Sequence, residues 1–339
     1  MDLGFNCFPT LCSRWVIFQT VQIPASHSLL YPQMQVIRHS EQALKTALIS
    51  KNAELIKLYE KLSQGERRLL NEAFRPDCIL FQPITVHSES DWIPSHPEST
   101  QDFEQFYQNP YRNTPSAKRS TIYVQPIEDL LKFLKQKKPK DAFCIVGITM
   151  IDLYPKESWN FVFGQASLTE GIFLPSPGMG IFSFARYDSD FYSRNYKGQL
   201  KPVKKLTAGD YSVFDGYYTP PVTSTLLLRS CKTLTHELGH IFGIRHCQWL
   251  QCVMQGSNHL EESDRRPLEL CPICIRKLHC ALGFNIAERY KALLHWIDGG
   301  GCDVEDPGCS SKTHHLPKAV EDFKEHRAWI LKCLDLLQQ

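Results

Sequence analysis

The sequence predicts an α+β fold, a mixed α/β arrangement in which helices pack on a sheet. Three observations favour it. Segments typical of strands alternate with amphipathic segments from residue 121 onward. The run FCIVGITMIDL at 143–153 has the continuous apolar character of a strand that is buried on both faces. A hydrophobic fraction of 42% in 339 residues is enough for a large core.

Composition and charge exclude two classes of protein. A net charge of +2, from 38 basic and 36 acidic residues, gives no strong attraction to nucleic acid. No uninterrupted apolar run approaches the roughly 18 residues that a membrane-spanning helix needs. We therefore expect neither a nucleic-acid partner nor a membrane partner.

Residues 1–33 predict an N-terminal extension that is disordered. Asp2 stands where a secretion signal carries basic residues, and Arg14 divides the apolar stretch, so the segment does not match a good signal peptide. The many cysteines of the chain predict thiolate chemistry, which needs a reducing compartment. We therefore expect a cytoplasmic or nuclear protein.

Residues 34–120 predict a region of helices and loops. Ser40 can cap a helix at EQALKTALI, and Ser63 and Glu66 match a capping box ahead of RRLLNEAF. Residues 76–120 contain six prolines, which lack an N–H donor and disfavour helix in their neighbours. This stretch therefore predicts a long wrapping loop or linker.

The strands of the main sheet are predicted between residues 121 and 192. A helix is expected at EDLLKFLKQKK (128–138), where leucines share one face and lysines lie at the end. The tripeptide Gly-Ile-Phe occurs twice around 172–180, which indicates a short insertion unless the repeat is a coincidence. The predicted strands are 121–127, 143–153, 158–168 and 181–192.

The segment 223–243 predicts one long amphipathic helix. Thr223 or Ser224 can cap it, directly after two prolines. Apolar residues recur every three or four positions and predict a buried stripe. The stripe consists of Leu227, Cys231, Leu234, Leu238 and Ile241.

The same segment carries the pattern HELGHIFGIRH, which predicts a catalytic zinc site. His236 and His240 share one helix face, and Gly243 can take a positive φ that returns His246 to the same metal. Three nitrogen ligands leave one tetrahedral position for water, for which Glu237 can act as general base. The shorter pattern HExxH occurs by chance on amphipathic helices, but five fixed positions in eleven are typical of metzincins.

Four cysteines then follow at the spacing C-x4-C-x18-C-x2-C, which predicts a closed, structural zinc site. Two disulfides, or thiols buried as small apolar groups, are the alternatives. The site would hold Met254 under the catalytic metal. Cys280, His259 and His279 are expected in ordinary surface or core positions. The four predicted ligands are Cys247, Cys252, Cys271 and Cys274.

The run HELGHIFGIRHC, followed by CVM and CPIC, resembles the archaemetzincin family of zinc metalloproteases, and the flanking runs are similar to its vertebrate members. The resemblance covers most of residues 34–339. It implies a metzincin-like zincin domain with a twisted mixed sheet, an active-site helix and a small C-terminal subdomain. It also implies two Zn²⁺ ions per chain, a catalytic ion on the three histidines and a structural ion on the four cysteines.

Two features depart from the family pattern. TIYVQPI runs almost directly into EDLLKFLK, so that roughly 60 residues of sheet and helix are missing between them. The run IFLPSPGMG is an insertion ahead of SFARY. Loss of paired strands would expose sheet edges and leave part of the core unfilled.

We therefore expect a monomeric zinc peptidase that acts on peptides or small proteins, aminopeptidase-like on short peptides. The alternative is a catalytically impaired variant that binds peptides or proteins and is stabilised by zinc. A four-cysteine module of nucleic-acid or ubiquitin pathways is disfavoured by the near-neutral charge. The expected segments are the extension 1–33, the helical and loop region 34–120, the catalytic domain 121–298, a flexible linker 299–318 and a C-terminal helix 319–339.

Overall fold

The structure is a computed structural model that describes residues 34–110, 112–126, 139–153, 162–167, 178–191, 221–299 and 321–338. Helices and strands are mixed along this part of the chain, which confirms the predicted fold class. The extension 1–33, the helix predicted at 128–138, and most of the insertion 172–180 and of the linker 299–318 lie outside the described residues.

The described part of the chain contains ten α-helices and six strands. The helices are α1 (Glu41–Ile49), α2 (Ala53–Glu60), α3 (Gln64–Asn71), α4 (Trp92–Ser95), α5 (Phe103–Gln108), α6 (Ser224–Ile241), α7 (Leu260–Arg265), α8 (Pro272–Leu282), α9 (Ile286–Ile297) and α10 (Lys324–Gln338). The strands are β1 (Gln35–Ile37), β2 (Ile84–Val86), β3 (Thr121–Pro126), β4 (Ala142–Thr149), β5 (Gly164–Ser167) and β6 (Gly178–Ser183).

The larger sheet has the strand order β3-β4-β6-β5, and β1 pairs with β2 in a separate antiparallel ribbon. β3, β4 and β6 are parallel, whereas β5 is antiparallel to β6, so the sheet is mixed. β4 is buried along nearly its whole length, which confirms the interpretation of the apolar run. It ends at Thr149 rather than at residue 153, because the Thr149 hydroxyl accepts a hydrogen bond from the Ile151 N–H and turns the chain.

Several predicted helix starts are confirmed. The Ser40 hydroxyl accepts a hydrogen bond from the Ala43 N–H at 3.2 Å. Ser63 and Glu66 form the expected capping box of α3. Asn285 caps α9. The last helix begins at residue 324, after a turn at 321–323, and so starts later than predicted.

Residues 76–120 are more ordered than the proline pattern predicts. They contain β2, the short helix α4 and the helix α5. Asp102 and Gln105 form a capping box at the start of α5, a local signal that the prolines obscure. β2 has no local signal, because its partner β1 lies about fifty residues earlier in the chain.

The strand predicted at 181–192 is shorter than expected. β6 ends at Ser183, whose hydroxyl accepts a hydrogen bond from the Ala185 N–H at 3.2 Å, and a 3-10 turn follows at Ala185–Tyr187. Arg186 leaves the strand direction to form an ion pair with Asp152 at 2.7 Å. Of the strand predicted at 158–168, the described residues 162–167 contain β5.

One hydrophobic core joins the N-terminal helices, the larger sheet, α6 and the last helices. It includes Leu48 of α1, Leu69 of α3, Val146 of β4 and Ile330 of α10, all of which are fully buried. None of the helices in the described ranges combines the length and apolarity needed to cross a bilayer. The segments predicted to bind metal are therefore packed into a core to which helices and strands along the described chain contribute.

Replacement of Gly65 by valine is expected to lower the free energy of unfolding by about 1–3 kcal/mol, the usual effect of overpacking. A Cβ at Gly65 would overlap the Leu337 carbonyl oxygen, so α3 and α10 would have to separate. Urea denaturation measures the effect. Gln64→Val, at an exposed position of the same helix, controls for the helix propensity of valine. Equal stability of the two variants would show that this close approach contributes nothing.

Candidate metal centres

Helix α6 carries two of the three histidines of the zinc pattern. It begins after Thr223, whose side chain accepts a hydrogen bond from the Leu226 N–H. Gly243 follows the helix with φ +91°, and a Cβ there would lie 3.1 Å from Arg112 Cα. Both the backbone angle and the lack of space require glycine. The turn at Gly243 brings the chain to His246.

The structure brings His236, His240 and His246 together, with their ring nitrogens within 4.8 Å of one another. Nδ1 of His236 lies 2.8 Å from the Val253 carbonyl oxygen, and Nδ1 of His240 lies 2.7 Å from the Ile244 carbonyl oxygen. A carbonyl oxygen only accepts, so Nδ1 of His240 carries the hydrogen. At Nδ1 of His236 the Val253 carbonyl is nearer than the Arg266 guanidinium, which lies 3.2 Å away, and the same assignment follows. The two Nε2 lone pairs then face each other across 3.0 Å. A bound cation satisfies this arrangement, so these residues fit a zinc ion.

Burial keeps the histidines of α6 in the form that binds metal. It lowers the pKa of His236 well below its usual value, and the nearby charged groups act in the same direction. Burial, followed by the charge of His246, lowers the pKa of His240 to about 4. Both imidazoles are therefore neutral at pH 7.

The third histidine has a carboxylate partner. His246 Nδ1 lies 3.1 Å and 3.0 Å from the two carboxylate oxygens of Glu98. The hydrogen bond from His246 lowers the pKa of Glu98. Sequence reasoning missed Glu98, because it lies 148 residues away in the proline-rich stretch and no motif marks it.

Glu237 is buried beside the histidines. Burial raises the pKa of its carboxyl to about 7, and the charge of Arg266 opposes this shift. A Cβ at Gly164 of β5 would lie 3.1 Å from Glu237 Oε1 and 2.6 Å from Phe182 Cδ1. The missing side chain of Gly164 therefore leaves the room that the Glu237 carboxylate occupies.

A cleft of about 410 Å³ opens over Glu237 and the three histidines. Trp92 and His96 stack at 4.0 Å to form one wall, and the Trp92 ring meets His246 edge-on at 4.8 Å. Sequence reasoning missed this wall as well. The lining residues are Trp92, His96, Val162, Phe163, Gly164, Thr233, His236, Glu237, His240, His246, Ser257, Asn258 and Arg266.

Met254 packs directly against α6. It is fully buried, and a Cβ at Gly239, the residue before His240, would overlap its sulfur. The Met254 carbonyl oxygen accepts a hydrogen bond from the Cys247 N–H at 2.8 Å. These contacts connect the helix of the histidines to the loop of the cysteines.

The four predicted cysteines form the second cluster. Their sulfurs lie within 4.8 Å of one another, and the Sγ atoms of Cys247 and Cys271 are 3.6 Å apart. All four are buried free thiols. The N–H groups of Met254 and Cys271 point at Cys252 Sγ, at 3.4 Å and 3.3 Å, as they would at a thiolate. This donor set fits a closed zinc site.

The charge state of the thiols supports the same reading. Hydrogen bonds from Cys252, Cys271 and Cys274 lower the pKa of Cys247, whereas burial raises the pKa values of Cys252 and Cys271. The pKa of Cys247 is thus shifted in the opposite direction from the pKa values of Cys252 and Cys271. A divalent metal lets all four ionise, since ligand cysteines bind as thiolates.

A third group of possible ligands consists of Asp91, His259 and Glu262. Arg265 forms an ion pair with Asp91 at 2.8 Å, and the Glu262 carboxylate accepts hydrogen bonds from two backbone N–H groups at 2.7 Å each. Protein donors thus already occupy these acceptors. The group connects α7 to the start of α4 and to the segment before α7.

Two residues that the sequence analysis set aside take part in neither cluster. Cys280 Sγ accepts a hydrogen bond from the Arg112 guanidinium at 3.6 Å. The His279 ring packs edge-on against Phe284 at 5.6 Å. Both positions are accounted for by contacts with their neighbours.

Residues 176–280, which contain both clusters, match Peptidase family M54. Archaemetzincin-2 of Homo sapiens is 56% identical to this chain over 369 aligned positions, which cover 90% of this chain and 100% of the human protein. This chain belongs to the archaemetzincin family. It is therefore a member of a family of zinc metalloproteases.

Other proteins are similar to this chain over shorter stretches or at lower identity. Archaemetzincin-1 of Rattus norvegicus is 34% identical over 314 positions, which cover 75% of this chain and 61% of the rat protein. The crystal structure of the archaemetzincin from Methanopyrus kandleri has 20% identity and a TM-score of 0.33, covering 50% of this chain and 99% of that one. A zinc-dependent peptidase from Methanocorpusculum labreanum has 30% identity and a TM-score of 0.27, covering 40% and 53%.

The comparison with human archaemetzincin-2 also shows an internal difference in length. The alignment has 369 positions, and 90% of this chain's 339 residues, about 305, take part in it. About 64 positions of the human protein therefore lie opposite gaps in this chain. The number agrees with the roughly 60 residues that the sequence analysis finds missing after the segment TIYVQPI.

Proposed function

We propose that this archaemetzincin hydrolyses peptide bonds at a zinc site formed by His236, His240 and His246, with Glu237 as general base. The observation that supports this best is that the Nε2 atoms of His236 and His240 lie 3.0 Å apart while Nδ1 of each ring faces a carbonyl oxygen. Such an arrangement is unfavourable unless a cation lies between the rings. In this proposal Gly243 sets the turn that delivers the third ligand.

The chain's own residues carry the proton transfers. When bound, zinc supplies a Lewis acid that polarises the scissile carbonyl and acidifies the attacking water. Glu237 takes the proton from that water and delivers it to the nitrogen of the leaving amine. A carboxyl pKa near 7 suits a group that must both accept and donate. Arg266 favours the ionised form of Glu237, which is the form that accepts.

The cleft and the sheet suggest how a substrate binds. β5 is an edge of the four-stranded sheet among the described residues, and its Gly164 lines the cleft. An extended peptide can add to such an edge through backbone hydrogen bonds, which would bring its scissile bond to Glu237. We propose short peptides or small proteins as substrates, cleaved from the amino end. Cleavage of peptides with free but not with acetylated amino ends tests the last point.

We propose a second, structural zinc ion on Cys247, Cys252, Cys271 and Cys274. Four thiolates fill a tetrahedral coordination shell and leave no position for substrate. The Met254 and Cys271 N–H groups that point at Cys252 Sγ stabilise such a thiolate. This ion would fix the loop that carries Met254, and so support the catalytic site from below.

Native mass spectrometry of the purified chain tests both sites together. We expect two zinc ions per chain in the natural sequence and one in His240→Ala. His279→Ala, which alters a histidine outside both clusters, should keep two. A natural chain that binds only one zinc ion, and a His240→Ala variant that keeps that same ion, would overturn the peptidase proposal, because the three histidines would then hold no metal.

A second candidate is a zinc-stabilised binding protein that recognises peptides without cleaving them. The gap of about 64 positions relative to human archaemetzincin-2 favours it, because lost strands would deform the substrate cleft. Two bound zinc ions and saturable peptide binding, without any product over long incubation, would support this candidate against the first.

We infer a monomer in a reducing compartment. Every residue to which the proposal assigns a role belongs to this chain, so the proposal requires no second copy. Free thiols of the zinc-binding kind persist where glutathione keeps them reduced, which favours the cytoplasm or nucleus. Cell fractionation checks the compartment, and analytical ultracentrifugation checks the oligomeric state.

A further inference from the structure

Residues 98–101 lie against the turn that leads from α6 to the third histidine. This segment belongs to the proline-rich stretch, far from the zinc pattern in sequence. Glu98 contacts the ring of His246, and Gln101 contacts the backbone on either side of the turn. The two contacts meet the same short piece of chain, residues 243–246.

Glu98 is held in place by more than its histidine. Both carboxylate oxygens lie near His246 Nδ1, at 3.1 Å and 3.0 Å. Its backbone carbonyl oxygen accepts a hydrogen bond from the Gln248 side chain at 2.9 Å. Since Nδ1 carries its hydrogen toward Glu98, Nε2 of His246 keeps its lone pair for the metal.

Gln101 supports the turn from a buried position. Its side-chain amide donates to the Gly243 carbonyl oxygen at 3.1 Å, and its side-chain oxygen accepts from the Arg245 N–H at 3.0 Å. Lys277, which is only 1% exposed, donates to the backbone and side-chain oxygens of Gln101 at 2.5 Å and 3.1 Å. The Trp249 indole N–H donates to the same backbone oxygen at 3.0 Å.

Glu98 does not line the cleft, although His246 does. Its carboxylate lies on the Nδ1 side of the ring, whereas a metal shared with the other two histidines is bound through Nε2. A direct contact with substrate is therefore not required by the geometry. Glu98 therefore acts on the proposed site through the ring of His246, which it contacts, and through its negative charge, which also reaches His240.

We propose that Glu98 is a positioning residue that orients His246 toward zinc, and that Gln101, anchored by Lys277, holds the turn on which His246 lies. This inference rests on the proposed function, since it needs the three-histidine zinc site. Partners that orient a ligand histidine usually change metal affinity by about ten- to a hundredfold when they are removed.

The test measures metal affinity at each site separately. Cobalt replaces zinc in the purified full chain, and its thiolate charge-transfer band in the near ultraviolet reports the four-cysteine site alone. Competition with a chelator then gives the affinity of the three-histidine site from the remaining metal. We expect Glu98→Ala to weaken that site by about ten- to a hundredfold. The thiolate band should stay unchanged.

Glu98→Gln is the near-isosteric companion. Its amide oxygen still accepts from His246 Nδ1 but carries no charge, so it should recover part of the affinity. Glu89→Ala, at an exposed position of the same stretch, should match the natural chain. Unchanged affinity of the three-histidine site in both Glu98 variants would overturn the proposal while leaving the proposed function intact. A natural chain that binds metal only through thiolates would overturn both.

Discussion

Replacing Glu237 with alanine is expected to abolish measurable peptide hydrolysis while both zinc ions remain bound. Positioned general acid–base groups contribute about 10² to 10⁴ in rate, and Glu237 is the buried carboxylate that faces the cleft beside the histidines. Glu237 does not belong to the group of three histidines proposed to hold the metal, so its replacement should not release the metal. The measurement is the kcat of peptide cleavage at saturating substrate, with zinc counted by native mass spectrometry.

Two further variants make this result specific. Glu237→Gln preserves the shape that Gly164 accommodates but cannot take a proton, so it should be as inactive as the alanine variant. Glu60→Ala, at an exposed position of α2, should retain full activity. Cleavage by Glu237→Ala at a rate close to the natural one would show that another group moves the proton.

Replacing Cys252 with serine is expected to remove one zinc ion and lower the thermal stability of the whole chain sharply. Structural zinc binding in small zinc domains is worth about 10–16 kcal/mol. Cys252 Sγ accepts hydrogen bonds from two backbone N–H groups. The carbonyl oxygen of the adjacent Val253 accepts a hydrogen bond from His236 Nδ1 at 2.8 Å. Loss of the cysteine site should therefore also weaken the three-histidine site.

Calorimetric unfolding and zinc counting check this second expectation. Cys280→Ser is the matched control, because Cys280 lies on the same helix as Cys274 but outside the cluster. It should keep two zinc ions and nearly the natural unfolding temperature. If Cys252→Ser kept both ions and the same unfolding temperature, the four thiols would be a core cluster rather than a metal site.

The parts of the site that could be predicted from the sequence are those with local spacing. The periodicity of the α-helix brings His236 and His240 to one face of α6. The lack of a side chain at Gly243 permits the positive φ that is observed there. The cysteine spacing likewise brings four thiols together. These relations involve only α6, the chain that follows it and the first turn of α8.

Glu98 and the Trp92 wall could not be predicted in that way. Glu98 is separated from His246 by 148 residues, and a contact over that distance depends on how the whole core packs. The same reason explains why the β1–β2 ribbon was missed. The prolines between residues 76 and 120 indicate an irregular backbone, but they do not indicate which residues this segment contacts.

The end of β6 shows a different limit. The apolar residues around SFARY continue an alternating pattern past Ser183, yet the chain turns there. The Ser183 hydroxyl and the Arg186–Asp152 ion pair favour the turn over a longer strand. Polar contacts of this kind override β propensity, which is a weak and context-dependent preference.

The packing of α3 against α10 has a consequence for the biosynthesis of the chain. Arg68 of α3 donates to the Leu336 carbonyl oxygen at 3.0 Å, across 268 residues of sequence. At about 5–20 residues per second, a ribosome needs roughly 13–54 s to make the intervening chain. During that time the apolar face of α3 has no partner from α10. The packing of α3 against α10 can therefore form only after nearly all of the described chain has been synthesised.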